Sequence, residues 1–410
     1  MKKSIIFILM ALTLSFLSAC KNDIDDPDHT VDPNKDVYSF VLLDYMATSV
    51  RVNITTESRE KSLEIREEIR QIFDMYHQLT TSYEELEEDS PYLQNIFSIN
   101  KQKDIKLEID KELYDVLLLS EQIKELTNGY FDIAVGTIVD HWKNLIVPEE
   151  PAFVGDMVYL IEFGEYKEVL EVNQLSGRVK VEGYTQTIHP SDYKKDITKY
   201  AFDLTVDYVD SIDSSNFSVL LSNEYDKYYV QISGEDIKLD LGAISKGYAA
   251  QKAADYLSEQ NVIYYSISAG TSSLALGQNA NREGNVYWVS LTNPVATTTT
   301  KESYGIIHAK DTSVTTSGNY EQYIMYEGNR YHHIVSPKTK MPAQFYHTVS
   351  IIGQNAALLD ALSTALFSMP KNELEEWITE HQTELDLEII VFNQDRTVSE
   401  YLVNTYFKRS

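Results

Sequence analysis

The chain has 410 residues, 35 basic and 63 acidic, for a net charge of −28. So acidic a chain lacks the basic footprint that nucleic-acid binding needs, and an anionic ligand must be held by local cations, backbone N–H groups or a metal. Cys20 is the only cysteine; that excludes an intrachain disulfide and a cysteine metal cage, and a chain this long can bury a core without them.

Met1-Lys2-Lys3, an apolar run from Ile5 to Leu17 and the small residues before Cys20 form a secretory signal. The run is shorter than the ~20 residues of a spanning helix. Leu17-Ser18-Ala19-Cys20 matches the bacterial lipobox, in which the cysteine thiol takes diacylglycerol and becomes the new N-terminus. Removing residues 1–19 takes Lys2 and Lys3 with it and moves the net charge from −28 to −30. Residues 20–36 then form a polar, lipidated tether, and 37–410 a folded domain outside the cytoplasm, held to a membrane surface through Cys20.

Val50, Val52 and Ile54 alternate with polar residues, a strand. Leu63, Ile65, Ile69, Ile72, Phe73 and Tyr76 recur at helical spacing, and Asp110 opens a second helix that stops near Asn128-Gly129. Tyr159–Phe163 and Val179–Val181 read as strands around the turn Ser176-Gly177. Residues 184–234, rich in Asp, Ser and Tyr, read as an inserted surface element with a helical piece near Tyr200–Ile212. From Ile237 the pattern predicts a strand into Gly242, a helix over Lys246–Leu257, and strands at Val262–Ile267, Val286–Leu291 and Tyr304–His308. A hairpin follows around Glu327-Gly328-Asn329, then a strand at Val349–Ile352, a helix over Leu358–Ser368, and one more helix with two strands. No internal repeat is visible. Strands and helices interleave without a βαβ rhythm, so the fold class is α+β, with mixed or antiparallel sheets and packed helices.

Five clusters carry chemistry-bearing residues. Asp240-Leu241-Gly242-Ala243-Ile244-Ser245-Lys246-Gly247 is a small-residue turn entering a helix; it suits a phosphate, or is a helix start with an exposed lysine. It has neither P-loop nor Rossmann spacing. Thr315-Thr316-Ser317-Gly318 reads as a tight turn able to bind oxygens. The histidines are scattered and no HExxH occurs, against a zinc hydrolase of that type. His332 and His333 point to opposite faces of an extended segment, so one of them can face a cleft as a proton acceptor. Asp360 and Thr364 share a helix face and could hold a hard cation such as Mg²⁺, or act as a cap and a self-bonded threonine. Thr127-Asn128-Gly129-Tyr130-Phe131-Asp132 ends a helix, with aromatics that read better as core than as a ligand wall.

In this order the clusters resemble the ApbE/Ftp family of FAD:protein FMN transferases, from about Tyr45 to Phe367. The resemblance implies an ApbE-like (T-fold-like) core and a Mg²⁺-dependent enzyme. Such an enzyme transfers the FMN half of FAD to a threonine hydroxyl of an acceptor protein, through a phosphoester, and releases AMP. The implied acceptors are membrane or surface electron-transfer proteins. It assigns FAD contacts to Asp240, Ala243, Lys246, Thr316, Ser317, Gly318 and His333, with Met46 in an early segment leaning on the flavin. It assigns the metal to Asp360, Thr364 and the Ala243 carbonyl, and activation of the acceptor hydroxyl to His333. Two positions depart from the family pattern: Thr271 follows Gly270 where a glycine pair is usual, and Lys340 stands in a glycine place. They leave a non-catalytic flavin-binding surface lipoprotein, or an FAD pyrophosphatase, as alternatives.

Overall fold

The structure, a computed structural model, describes residues 36–146, 205–296, 302–403 and 406–409, the pair 202–203, and the backbone of 169–173, 178–181 and 184–187. The expected signal peptide, Cys20, nearly all of the tether and the Tyr159–Phe163 strand lie outside the described residues.

An eight-stranded sheet organises the chain: β1 (Asp36–Tyr45), β2 (Thr48–Thr56), β3 (Tyr265–Ala269), β4 (Ser273–Leu276), β5 (Thr312–Gly318), β6 (Tyr346–Gly353), β7 (Glu388–Asn393) and β8 (Val398–Tyr401). The strands lie side by side in chain order, and every pair is antiparallel. The helices fall into the gaps of this series. Between β2 and β3 come α1 (Arg59–Thr80), α2 (Ile96–Asn100), α3 (Lys111–Leu126), α4 (Gly136–Ile146) and α5 (Ser245–Glu259); between β6 and β7 come α6 (Ala356–Phe367) and α7 (Lys371–His381). The plan is therefore strand pair, helices, strand pair, carried out twice. It is a repeat of topology that has no counterpart in residue identity.

Each helix forms for a local reason. Ser58 caps α1 by accepting from the Lys61 N–H, and Asn355 caps α6 by accepting from the Leu358 N–H. In α1 the buried positions Ile65, Ile69, Phe73 and Tyr76 make one apolar stripe. Asp110 stands at the start of α3, but its carboxylate does not cap it; Oδ2 accepts from the Leu93 N–H at 2.8 Å and ties down the preceding loop. Thr127 closes α3, donating from Oγ1 to the Ile123 carbonyl and accepting from the Phe131 N–H. Tyr130 and Phe131 are buried in the main core.

The middle of the sheet is covered on both faces. α5 and α6 pack on one. On the other, a small sheet of Tyr287–Thr292, Ser303–Ala309 and Phe407–Arg409 closes a cluster with Leu276, Val314, Ile352 and Ile390. This is why β6 and β7 are buried nearly throughout while β2 alternates. Of residues 184–234, the hairpin Ser218–Glu224/Lys227–Ser233 pairs with Leu107–Ile109 and sends Val230 and Ile232 into the main core. The helical residues 205–211 instead gather with Trp142 and Phe202 in a second cluster.

Two expected elements differ. Ile237–Leu241 is extended but joins no ladder beyond one bridge, Val135 to Lys238. Its backbone bonds to Ile133 and Gly136 at that bridge and is held also by the Asn100 side chain, which accepts from the Leu239 N–H at 2.7 Å and donates to the Leu239 carbonyl at 3.0 Å. Thr315–Gly318, expected as a turn, is the second half of β5.

Candidate active site

α5 and α6 cross at a glycine. A Cβ on Gly247 would lie 2.4 Å from the Ala356 carbonyl oxygen and 2.5 Å from Asp360 Cβ, so only glycine lets the two helices touch there. The contact is used. The Gly247 N–H donates to Asp360 Oδ2 at 2.8 Å, and Ser273 Oγ, at the start of β4, donates to Asp360 Oδ1 at 2.8 Å. Asp360 is thus no cap: it sits inside α6, buried, with its carboxylate pinned to two elements of the other half of the chain. Burial pushes its pKa up, only partly offset by Lys246, the Gly247 N–H and the Ser273 hydroxyl. One helical turn before Gly247 lies Ala243, whose carbonyl is reached by no backbone N–H among the described residues.

The hydroxyls of β5 divide between its two faces. Ser317 Oγ meets Ser363 Oγ at 2.8 Å and Thr364 Oγ1 at 3.5 Å, so it belongs to the α6 side. Thr316 Oγ1 pairs with Ser350 Oγ at 2.8 Å across the sheet, one residue out of phase. The backbone of Thr316 is the part nearer β4, with its N–H on the Ser272 carbonyl. Gly318 ends the strand against the Tyr320 ring, which a Cβ would strike at 2.6 Å.

Asp240 turns back on its own loop, accepting from the Gly242 N–H at 2.7 Å. Its other oxygen takes the ammonium of Lys143, on α4, at 2.8 Å. Burial works against this carboxylate, yet Lys143, the Gly242 N–H and Lys238 outweigh it and hold the group below the ordinary aspartate range. Lys143 also donates to the Tyr83 hydroxyl at 3.2 Å, and Lys246 Nζ rests on the Gly242 carbonyl at 3.0 Å. Lys143, Tyr83 and Ser273 were not singled out in the sequence; no local pattern marks them.

The histidine pair separates as its alternation predicts. His332 is fully buried: Nε2–H donates to the Ala343 carbonyl at 2.6 Å and Nδ1 accepts from the Ile334 N–H at 3.2 Å. Both nitrogens are used and only the neutral ring fits; burial takes its pKa down to about 4. A histidine lowered in the folded state gives stability that is complete above the unfolded value of ~6.5 and lost as pH falls toward 4, here roughly 3 kcal/mol in all. In an NMR titration the His332 ring is expected to stay neutral to about pH 4; titration near 6.5 would refute this. His333 is partly exposed, with Nδ1 buried and unpartnered. Burial, then Lys143 and Lys246, lower its pKa against the raising effect of the Gln322 backbone and Glu321. It is a neutral base beside two ammonium groups.

These residues lie within one region of known proteins. A family model described as the ApbE family matches residues 46–389. The chain belongs to the ApbE family. It is 23% identical over 335 residues to the FAD:protein FMN transferase of Escherichia coli (strain K12), covering 81% of this chain and 78% of that one. It is 23% identical over 261 residues to the FAD:protein FMN transferase of Buchnera aphidicola subsp. Schizaphis graminum, covering 63% of this chain and 61% of that one. The crystal structure of the ApbE protein of Thermotoga maritima superposes with a TM-score of 0.60 at 21% identity, covering 89% of this chain and 97% of that one. The expected α+β, ApbE-like core is borne out.

The two departures from the ApbE pattern are both accommodated. Gly270 takes φ +68 and its Cα faces Thr48, so glycine is kept where it is needed; Thr271 is exposed, its hydroxyl donating to Glu321 Oε1 at 2.7 Å. Lys340 does adopt φ +57, at a cost of about 1–2 kcal/mol. Its Nζ donates to the carbonyls of Ile212 at 2.5 Å and Asp210 at 3.4 Å, past the last turn of the 205–211 helix, and such charge-assisted bonds offset a cost of that size. Met46, at φ +51 in the β1–β2 turn, donates its N–H to His77 Nδ1 at 3.1 Å, which fixes that turn against α1.

The residues fit a hard cation. Asp360, the Thr364 hydroxyl and the Ala243 carbonyl are all oxygen donors, and a buried carboxylate with a raised pKa is one that a cation would relieve. Among the described residues no group of three or more His, Cys, Asp or Glu gathers, so a soft or nitrogen-rich metal has no site there.

Proposed function

We propose that this ApbE-family chain transfers the FMN part of FAD to an acceptor protein. The reading rests most on one feature: a buried carboxylate, Asp360, pinned where α5, α6 and β4 meet, beside Lys246, whose charge also acts on His333. The acceptor group is a threonine hydroxyl. Its oxygen attacks the FMN-side phosphorus of FAD, the bond from that phosphorus to the bridging oxygen breaks, and AMP leaves with that oxygen. His333, whose pKa burial lowers, takes the hydroxyl proton on its ring. Lys246 neutralises phosphate charge. Asp360, Thr364 and the Ala243 carbonyl would hold Mg²⁺, which would supply stabilisation of negative charge on the pyrophosphate. The remaining work is alignment of attacking and leaving oxygens.

The chain is exported and anchored through lipid on Cys20, on the extracytoplasmic side of a bacterial membrane, where electron-transfer proteins of the membrane or surface are its acceptors. The support is the Leu17-Ser18-Ala19-Cys20 sequence after a charged start and apolar core. Cys20→Ala is expected to move the protein from the membrane pellet to the soluble fraction; unchanged sedimentation would sink the anchor.

Incubation with FAD, Mg²⁺ and a threonine-bearing acceptor tests the activity, read as flavin fluorescence that survives a denaturing gel. A labelled acceptor is expected. FMN and AMP released without label would mean a pyrophosphatase, and no turnover with retained FAD binding would mean an inert flavin binder.

A further inference from the structure

We propose that Lys143 is a positioning residue for the dinucleotide, anchoring the Asp240 carboxylate as a fixed acceptor in the site. The identity of the ligand rests on the function proposed above; the coupling of Lys143 to Asp240 does not.

Asp240 has a side chain only 14% exposed. One oxygen is committed to the Gly242 N–H at 2.7 Å and the other to Lys143 at 2.8 Å. A carboxylate so enclosed takes up a proton unless a cation holds it. Lys143 is itself held. Its neighbour in α4, Trp142, is fully buried and donates from Nε1 to the Lys340 carbonyl at 2.8 Å, which fixes the backbone from which the lysine reaches. The ammonium is steadied by the Tyr83 hydroxyl at 3.2 Å, Tyr83 donates to Asp140 Oδ1 at 3.2 Å, and Asp140 pairs with Lys238.

The charged and titratable groups around the Asp240–Lys143 pair are Asp140 from α4, Tyr83 from the loop after α1, Lys238 from the segment of Asp240, and the neutral His333 ring, which feels the Lys143 charge. Two carboxylates face two ammonium groups, and this group is balanced. Lys246 then stands as added positive charge, in a chain of net charge −28. Without Lys143 the balance turns negative next to the place where a diphosphate must enter, and Asp240 is free to protonate and turn.

Lys143→Met is expected to weaken FAD binding at least tenfold at pH 7.5, measured by flavin fluorescence titration with Mg²⁺ present. The loss deepens as pH falls from 7 to 5, more steeply than any change in the wild type; Lys143→Arg keeps most of the affinity. If the effect runs through Asp240, Lys143→Met costs less than twofold when added to Asp240→Asn. That double variant also removes the buried unpaired charge, so it stays foldable if the single variant does not. Binding by Lys143→Met within twofold of wild type, or losses that multiply in the double variant, overturns the proposal. A second readout needs no FAD: the carboxyl carbon of Asp240 is expected to titrate higher in Lys143→Met than in wild type or Lys143→Arg. An unmoved titration overturns the proposal even if FAD binds, whereas a moved titration with no FAD binding by the wild type overturns only the proposed function.

Discussion

Asp360→Asn is expected to abolish FMN transfer at ordinary Mg²⁺, a loss of about 10³-fold or more, while leaving the metal-free fold as stable as wild type or more so. The two halves of this expectation have one cause. The Asp360 carboxylate is buried, and its folded pKa lies above the ordinary aspartate value. A carboxyl raised in this way costs folding free energy once pH exceeds the unfolded value, and the cost grows until pH passes the folded value. At neutral pH the amide removes it. An asparagine oxygen still accepts from the Gly247 N–H, and Ser273 can turn its hydroxyl to accept from the amide. What is lost is the charge that, on the proposed function, binds a cation. Thermal melts with and without Mg²⁺ read the difference: stabilisation by Mg²⁺ is expected in wild type and absent in the variant. Transfer at wild-type rate by Asp360→Asn would remove the metal assignment.

Gly247→Ala is expected to damage both fold and activity. The new methyl meets the Ala356 carbonyl oxygen at 2.4 Å and Asp360 Cβ at 2.5 Å, and one of these is backbone, with no rotamer to escape through. Overpacking of this kind costs about 1–3 kcal/mol and sometimes more, so the melting temperature is expected to fall by roughly 1–5 °C. Relief requires α5 and α6 to part, and parting breaks the Gly247–Asp360 bond that orders the site. FAD binding should therefore fail even below the melting range. A variant with wild-type melting and FAD affinity would show that the crossing is looser than its geometry.

The parts of the site that were legible in the sequence are those written in consecutive residues. Asp240 to Gly247 sits on one turn and helix start, Asp360 and Thr364 on one helix face, and His332 and His333 alternate as an extended pair must. The parts that were not legible are contacts at long range. Lys143 meets Asp240 across 97 residues, Ser273 meets Asp360 across 87, and Asn100 holds Leu239 across 139. Nothing in the neighbourhood of Lys143 or Asn100 announces such a partner. Thr315–Gly318 misleads for a related reason: hydroxyls before a glycine favour a turn on local grounds, but pairing with β6 along its whole length, and with β4 at Thr315, makes it a strand. Ile237–Leu241 errs in the opposite sense: it has strand composition, but its backbone bonds are one isolated bridge to residues 133–136 and the Asn100 side chain.

The twofold plan of strand pair, helices and strand pair bears on when this protein can first act. Gly247, Ser273, Asp240 and Lys246 come from the first copy of the plan, and Asp360, Thr364, Ser317 and His333 from the second. Neither copy holds a working set alone. A chain with only its first copy folded lacks the Asp360 carboxylate and the His333 ring, and is expected to be silent toward FAD. The site is whole only where the two copies meet, along the pairing of β4 with β5.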